Sequence, residues 1–487
     1  MVHFAAMSDP QRPNPSPSVA LTRTQASAEH LVPPVLDAAM VGVPPRIGPV
    51  QVQFAETVEQ VTQTCRHDDP LAADDPRYQD LTRGRGDQSF SHLEEQLRRK
   101  SQSTPLHLVC SSHRGAGKTT ELLRLTQRLL ARYEPLYIEA SVEMDSISID
   151  IEDVLLILAR LTEERMRHRG TPIGPDLLKR VERWFHEVIQ TTVWGKDWSV
   201  DLAAGLKVEA GLPRFATLLS SITGTMKVES KHRDEVKAVF KKFPGALLDG
   251  VNQLLDATCA ILAKEGKELL VVLDNLDRYQ PAVMDRLLLV NGDRICELHC
   301  SLILTPPISL IYQPHSEPLD SYFPCEVMNT VRLRRPDQPY NEFDGPGRDL
   351  LLKALGRRID LDKLMPDEKA RYRLVMASGG AIRELLHLMS DASFQARDAG
   401  VFSVADIEYA VKRRKVQMRD NINFEGLAPT LARISRDKQP FDDDKCRRAL
   451  YLRYVFKYNG DGWYDIHPLI AELPEFQRAY AKLEPAA

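Results

Sequence analysis

The first half of the chain alternates between two hydrophobic periodicities. Apolar segments at 106–111 and 134–141 predict two buried strands. Segments 118–132 and 149–169 have apolar residues at helical spacing and predict amphipathic helices. Strands that alternate with helices indicate a parallel sheet with helices on both faces, so the sequence predicts an α/β fold.

The alternation is interrupted and then resumes. Residues 170–245 combine a period-two segment at 198–214 with a highly charged segment, so they predict an insertion made of a hairpin and helices. The sheet resumes with the apolar runs in 267–279 and 300–307. A charged amphipathic helix at 88–100 leads into the first strand. We therefore expect one nucleotide-type domain over 75–340, with the insertion inside it.

The C-terminal part is predominantly helical by its period. Residues 345–395 predict a helical lid, which we place at 341–400. Segment 402–480 predicts two or three helices, followed by two strand-like runs that flank Asn459-Gly460-Asp461-Gly462, a hairpin turn signal. Helices followed by a hairpin favour a winged-helix domain over 401–487. Residues 1–50 are rich in proline and predict a disordered leader.

The composition is that of a soluble protein and does not indicate a particular binding partner. The 487 residues are 43% hydrophobic and 27% charged, with a net charge of -4, as in ordinary soluble domains. The seven cysteines include no C-x-x-C pair, so no zinc site is expected. No apolar run approaches the roughly 18 residues of a membrane helix, and the N-terminus lacks a secretory pattern. We expect a cytoplasmic protein without a membrane partner.

One loop contains the clearest sequence motif for ligand binding. Between the first strand and its helix, residues 112–119 read SHRGAGKT, which fits G-x-x-x-x-G-K-S/T except at the first position. Such a loop directs amide groups at a polyphosphate, with Lys118 near the outer phosphates and Thr119 as a Mg²⁺ ligand. The predicted ligands of ATP or ADP are therefore Ser112, His113, Arg114, Gly115, Ala116, Gly117, Lys118, Thr119 and Thr120.

A second strand supplies an acid. The apolar run 269–273 ends in Asp274, which we expect to hold Mg²⁺ directly or through water. The next residue is Asn275, whose amide can position water but cannot accept its proton, so Asp277 is the candidate replacement base. We therefore expect slow hydrolysis, and we expect an Asn275→Glu substitution to accelerate it.

Two further residues are candidates for phosphate contact. Thr305 ends the third strand, where a hydroxyl could reach the γ-phosphate or the attacking water; strand-end threonines are also common for purely structural reasons. Arg383 lies in the lid helix, from which it could reach the phosphates; its alternative is an ordinary solvated helix arginine.

These elements resemble the AAA-like P-loop ATPases, and more narrowly the signal-transduction ATPases with numerous domains (STAND), which include the NACHT and NB-ARC switches. The likeness is carried by SSHRGAGKTTEL, LLVVLDNLDRY, LILTPP, GGAIRELL and WYDIHPLI. The resemblance implies an ATP/ADP switch with Mg²⁺, read by a separate effector protein, in a bacterial conflict or anti-phage system. It also implies that His467 contacts the β-phosphate and that Arg85 borders the base.

Other functions stay open. A DNA-handling AAA+ ATPase of the origin-recognition or transposition-loader kind would suit the lid and winged helix equally. Residues 404–487 carry 15 Lys/Arg against 13 Asp/Glu, so charge does not support DNA binding; the basic run is 412–415. A scaffold without useful turnover is a third possibility. In a homo-oligomer, a neighbour's site could receive Arg294, Arg332, Arg334 or Arg335.

Overall fold

The structure is a computed structural model. The described residues are 53–102, 104–192, 214–227, 231–312, 317–338, 342–441, 443–458 and 462–483. The predicted leader at 1–50, the period-two segment at 198–213 and most of the turn at 459–462 lie outside them.

A five-stranded parallel sheet forms the centre of the fold, in the order β2-β3-β4-β1-β5. Its strands are β1 (His107–Ser112), β2 (Tyr133–Glu139), β3 (Glu268–Asp274), β4 (Ser301–Leu304) and β5 (Cys325–Met328). The predicted α/β class is confirmed, and four of the five strands were expected from their apolar runs. β5 was missed because it is only four residues long and mostly half-buried at the sheet edge, so it has no continuous apolar run.

Helices cover both faces of the sheet and make up the described parts of residues 170–245, where the sequence predicts an insertion. They are α1 (Val61–Thr64), α2 (Thr82–Arg85), α3 (Ser89–Arg99), α4 (Lys118–Arg128), α5 (Ala140–Glu143), α6 (Ile151–His168), α7 (Pro175–Thr192), α8 (Arg214–Lys227), α9 (Lys231–Lys241), α10 (Pro244–Ala263), α11 (Pro281–Met284), α12 (Gly292–Cys296), α13 (Ile308–Ile311) and α14 (Glu317–Tyr322). Short 3₁₀ turns lie at Val58–Gln60 and Leu276–Arg278, and a π-helical turn at Asp285–Val290.

Helix α10 and an ion pair between α9 and α6 connect the segment before β3 to the rest of the domain. Helix α10 is the one helix in the described ranges that is long and apolar enough to cross a membrane. It carries Asp249 and Asp256 and packs on α6 and β3 in the main core. Lys237 of α9 pairs with Asp153 of α6 at 2.6 Å. The period of α10 was not recognised in the sequence, since its apolar residues continue around much of the helix.

The lid and the C-terminal unit share a second core. Their helices are α15 (Gly347–Gly356), α16 (Leu361–Leu364), α17 (Glu368–Ala377), α18 (Ile382–Ala396), α19 (Val404–Glu425), α20 (Ala428–Asp437), α21 (Asp444–Tyr451), α22 (Pro468–Ala471) and α23 (Pro474–Tyr480). Strands β6 (Val455–Lys457) and β7 (Tyr464–Ile466) pair antiparallel, as the turn signal predicted. Ala55 and Val58, from the segment before residue 75, are buried in this same core.

The turn Gly379-Gly380 fits the lid closely against the end of the sheet domain. Gly380 has a φ of 88°, and a Cβ added there would lie 1.9 Å from the carbonyl oxygen of Val331. Gly379 has a φ of 60° and faces Phe456 of β6. Both positions therefore require glycine, for backbone conformation and for close approach.

We expect Gly380→Ala to lower the free energy of unfolding by about 2–4 kcal/mol, because steric overlap adds to the left-handed backbone strain. Gly400→Ala is the matched control: its φ is 71°, but nothing lies within 4 Å of the added Cβ. Its loss should be about 1 kcal/mol. Chemical denaturation of both variants measures the difference, and equal losses would contradict the close fit.

Candidate functional site

The loop between β1 and α4 has the backbone geometry of an anion-binding turn. β1 ends at Ser112 and α4 begins at Lys118. Gly115 and Gly117 have φ values of 86° and 101°, in the left-handed region that other residues enter only with strain. The unpaired amide groups of the first turn of α4 follow directly, so the loop offers donors to a polyphosphate.

Ser112 occupies the entry position without strain. It is still part of β1, where it pairs in register with Met328 of β5. It is not among the non-glycine residues with positive φ in the described part of the chain. Its hydroxyl donates to the carbonyl oxygen of His113 at 3.2 Å. The unusual residue at the first loop position is therefore compatible with the phosphate-loop conformation.

The ammonium group of Lys118 is paired with a carboxylate. Its Nζ lies 2.7 Å from Oδ2 of Asp277, and the two side chains are only 5% and 7% exposed. Nζ is also 3.4 Å from the carbonyl oxygen of Thr305. Asp277, which we predicted to act as the base in place of Asn275, thus forms an ion pair with Lys118. An ammonium group has three N–H donors, so Lys118 can contact a phosphate beside these two partners.

The carboxylate of Asp274 is the most heavily hydrogen-bonded group of the site. Thr119 Oγ1 and the hydroxyl of Tyr137 donate to its Oδ2 at 2.7 and 2.6 Å. Thr305 Oγ1 donates to its Oδ1 at 2.9 Å. Thr305 therefore orients Asp274 through this bond, and its expected contact with the γ-phosphate or the attacking water stays a prediction. Tyr137 was missed because it reads as an ordinary strand aromatic.

These contacts set the charge state of the group. Burial alone would raise the pKa of Asp274, but Lys118 and the hydrogen bonds from Thr119 and Tyr137 hold the pKa below its usual value. Burial and the negative charge of Asp274 raise the pKa of Tyr137, so its hydroxyl stays protonated and donates. Ionised Asp274 and the Thr119 hydroxyl form an oxygen pair of the kind that Mg²⁺ accepts.

A cavity of about 350 Å³ opens over the loop. Part of its wall is the segment 66–81, which we call the strap. Leu71 N–H donates to Thr120 Oγ1 at 3.1 Å, and the Tyr78 hydroxyl donates to Glu121 at 3.2 Å. Arg358 of the lid donates to the carbonyl oxygen of Arg77 at 2.9 Å. The strap is irregular and has no sequence period, so its role could not be predicted.

Arg85 supports the loop from outside the cavity. Its guanidinium donates to the carbonyl oxygen of Ala116 at 2.7 Å and pairs with Glu121 at 3.0 Å. It does not line the cavity, whose wall at that side is the strap. The expectation that Arg85 borders the base is therefore corrected: this arginine holds the turn at Ala116 in place.

Arg383 of α18 lies against the loop. Its backbone N–H donates to the carbonyl oxygen of Gly115 at 3.1 Å, and a Cβ added to Gly115 would lie 2.6 Å from that of Arg383. Its guanidinium lines the cavity and donates to the carbonyl oxygen of His67 at 3.0 Å. The arginine therefore joins loop, lid and strap, and stays a candidate phosphate ligand.

Two residues of the loop contact the C-terminal unit. His113 Nε2 accepts the backbone N–H of Lys457 in β6 at 2.9 Å. Arg114 donates to the carbonyl oxygen of Tyr451 at 2.8 Å, with its guanidinium 4.5 Å from the centre of the Tyr451 ring. Burial, with the charges of Lys457 and Arg453, lowers the pKa of His113 to about 3, so the ring is neutral. A neutral ring that accepts at Nε2 carries its proton on Nδ1.

His467 does not reach the cavity. Its side chain is 1% exposed, its Nδ1 accepts the N–H of Leu469 at 3.2 Å, and its ring packs 5.3 Å from that of Phe456. Burial lowers its pKa to about 4. In this conformation His467 caps α22 and is separated from the cavity, so the expected β-phosphate contact is corrected. His113, whose ring also contacts Phe456, lies on the cavity side.

The residue after Asp274 has an unusual backbone. Asn275 has a φ of 65°, lines the cavity, and begins the turn that carries Asp277. Asparagine tolerates this conformation, whereas glutamate would be strained by about 1–2 kcal/mol. The Asn275→Glu substitution expected to accelerate hydrolysis would therefore also strain the backbone that positions Asp277.

Comparison with known proteins yields structural likeness only. No protein-family model matches the chain, and no curated relative matches. A Walker-type ATPase of Pyrococcus abyssi is similar at 13% identity and TM-score 0.37, over 79% of this chain and 93% of that one. Cdc6p of Pyrobaculum aerophilum is similar at 11% identity and TM-score 0.32, over 81% and 93%.

Orc1 of Aeropyrum pernix, solved in complex with DNA, is similar at 13% identity and TM-score 0.35, over 80% of this chain and 93% of its own. All three TM-scores lie below 0.5. The function of this chain is therefore inferred from its own residues.

Proposed function

We propose that this chain is an ATP-binding P-loop NTPase with slow Mg²⁺-dependent hydrolysis, in which the C-terminal unit reads the nucleotide state. The observation that supports binding most strongly is the convergence of the left-handed loop, Lys118 and the Thr119–Asp274 pair at one edge of the sheet. A site that binds a Mg²⁺–nucleoside triphosphate complex needs backbone amide donors, a cationic side chain and oxygen ligands for the metal.

Mg²⁺ would be held by Thr119 and Asp274, and it would neutralise charge on the phosphate oxygens. The contact between the two residues is 2.7 Å, so both oxygens already lie close enough to share one ion. Tyr137 and Thr305 fix the orientation of the carboxylate. The donor set fits the metal because all of its candidate atoms are oxygens.

The slow rate is inferred from the turn that follows Asp274 in the sequence, which offers the attacking water no free carboxylate. Asn275 cannot accept a proton from water, and Asp277 is ion-paired with Lys118 at 2.7 Å. Slow hydrolysis suits a nucleotide-operated switch, because a long-lived ATP-bound state gives a partner protein time to respond.

The switch role is supported by direct contacts between the phosphate loop and the C-terminal unit. His113 and Arg114 occupy the second and third loop positions, and both bind backbone atoms of the C-terminal unit. Arg447 of α21 adds an ion pair with Asp285 at 2.8 Å. A shift of the loop on binding or loss of a phosphate would therefore move hydrogen-bond partners of β6 and α21.

The STAND-like form of this proposal adds a cytoplasmic location, a separate effector protein and a bacterial conflict or anti-phage role. These additions rest on the sequence motifs alone. Homo-oligomerisation is compatible with exposed Arg335 or half-buried Arg294. Arg334 is 6% exposed and paired with Asp465, so it is committed within the chain.

Binding is tested by calorimetry with Mg²⁺ and ATP, ADP or GTP. We expect Lys118→Ala to weaken ATP binding about tenfold or more, because a charge-assisted contact to the outer phosphates is lost. Lys264→Ala, an exposed lysine after α10, is the matched control and should bind as the wild type does. Absence of binding by the wild-type chain to any of these nucleotides would overturn the proposal.

Coupling is tested by hydrogen exchange at the Lys457 amide, which donates to His113. We expect its protection to differ between the Mg²⁺-ATP and Mg²⁺-ADP states, and the difference to disappear in His113→Ala. The Tyr464 amide is the internal control, because it donates to the carbonyl oxygen of Lys438 at 2.8 Å within the same unit. Equal protection of Lys457 in both nucleotide states would contradict the switch.

The DNA-handling AAA+ alternative predicts a free basic surface. In the run 412–415, Arg414 pairs with Glu384, Lys415 pairs with Glu472 at 2.9 Å, and Arg413 lies 3.9 Å from Asp391. The run is therefore largely neutralised within the chain.

We accordingly expect no sequence-specific duplex binding in fluorescence anisotropy at about 150 mM salt, with Arg413→Glu behaving as the wild type does. Tight binding that weakens steeply with salt, and that Arg413→Glu abolishes, would favour the DNA-handling function.

A further inference from the structure

We propose that Glu139 is the general base that accepts the proton of the attacking water. The assignment rests on the proposed ATP hydrolysis and deepens it. It names a proton acceptor for a site in which the residue after Asp274 is Asn275, which cannot accept a proton. The reaction would be the hydrolysis of the terminal phosphoanhydride of a nucleoside triphosphate.

Glu139 is placed at the reacting edge by the sheet register. It is the last residue of β2, and its partner in parallel β3 is Asp274. Side chains two residues apart on a strand share a face, and Tyr137, two residues earlier, directs its hydroxyl at Asp274. The Glu139 side chain is 13% exposed and lines the same cavity as Lys118 and Asn275.

The other carboxylates of the site are less suited to accept a proton. Asp274 receives three hydroxyl hydrogen bonds, so its oxygens are already engaged, and it is assigned to the metal. Asp277 is paired with Lys118 at 2.7 Å. Asn275 has no basic oxygen of carboxylate type.

Glu139 is engaged more weakly than either aspartate. The Ser141 hydroxyl donates to its Oε1 at 2.9 Å, and the Arg278 guanidinium lies 3.9 Å from the same oxygen. Arg278 is 46% exposed, so its charge is screened by water. These two contacts orient the carboxylate and leave it able to accept a hydrogen bond from water.

The proposed step balances within the site. A water oxygen attacks the γ-phosphorus while one water proton moves to a carboxylate oxygen of Glu139. The bond between the γ-phosphorus and the β,γ-bridging oxygen breaks, and ADP leaves with that electron pair. Inorganic phosphate then receives the proton from Glu139, directly or through solvent, and the carboxylate is regenerated. Lys118 neutralises charge on the phosphate oxygens.

The test is single-turnover hydrolysis of labelled ATP by the full chain, beside calorimetric ATP affinity. Glu139→Gln should slow phosphate release about 100-fold or more, with affinity within about threefold of the wild type. Glu143→Gln is the matched control: it lies four residues on, in α5, it pairs with Arg160, and it does not line the cavity. Its rate should equal the wild-type rate.

Chemical rescue separates a base from a structural residue. Glu139→Ala should recover part of its rate with added sodium formate, because the small carboxylate can occupy the vacated space and accept the proton. A structural role for Glu139 would give no recovery. Asp277→Ala assayed in the same way identifies the rival: recovery there, and not in Glu139→Ala, would assign the base to Asp277.

The outcomes distinguish this assignment from the function on which it rests. Wild-type phosphate release that Glu139→Gln leaves undiminished would overturn the Glu139 assignment alone. Absence of phosphate release from the wild-type chain, with or without nucleotide binding, would overturn the hydrolysis proposal and the Glu139 assignment together. Slowed release with intact affinity and formate recovery would establish Glu139 as the base.

Discussion

The carboxylate of Asp274 is fully buried at the carboxyl edge of the sheet, and hydroxyl groups from three other elements donate to it. Thr119 comes from the helix after the phosphate loop, Tyr137 from β2, and Thr305 from the end of β4. A buried ionised group is stable only with such compensation. The register of the parallel strands provides it, because their ends meet at one edge.

Two side chains of the site contact the groups that we expect to bind phosphate and Mg²⁺. Asp277 supplies Lys118 with a negative partner, as a phosphate would. The Thr119 hydroxyl proton interacts with Asp274, as a cation would. Breaking either contact without replacement would leave a buried group uncompensated, which is costly.

Sequence reasoning was most successful where periodicity is strong. The strand, loop and helix around Lys118, the strand before Asp274, and the hairpin partner strands all follow from local patterns. It was less successful where a role depends on tertiary neighbours. His467 is a plausible phosphate contact by position, but its ring packs against Phe456. Glu139 gave no local signal, because only strand register brings it beside Asp274.

The strap would affect how fast a nucleotide enters and leaves the cavity. It is fastened on one side to α4, through Thr120 and Glu121, and on the other to the lid, through Arg358 and Arg383. Departure along this side requires several of these hydrogen bonds to open together. The residence time of a nucleotide in the cavity would then depend on how readily residues 66–81 separate from α4 and the lid.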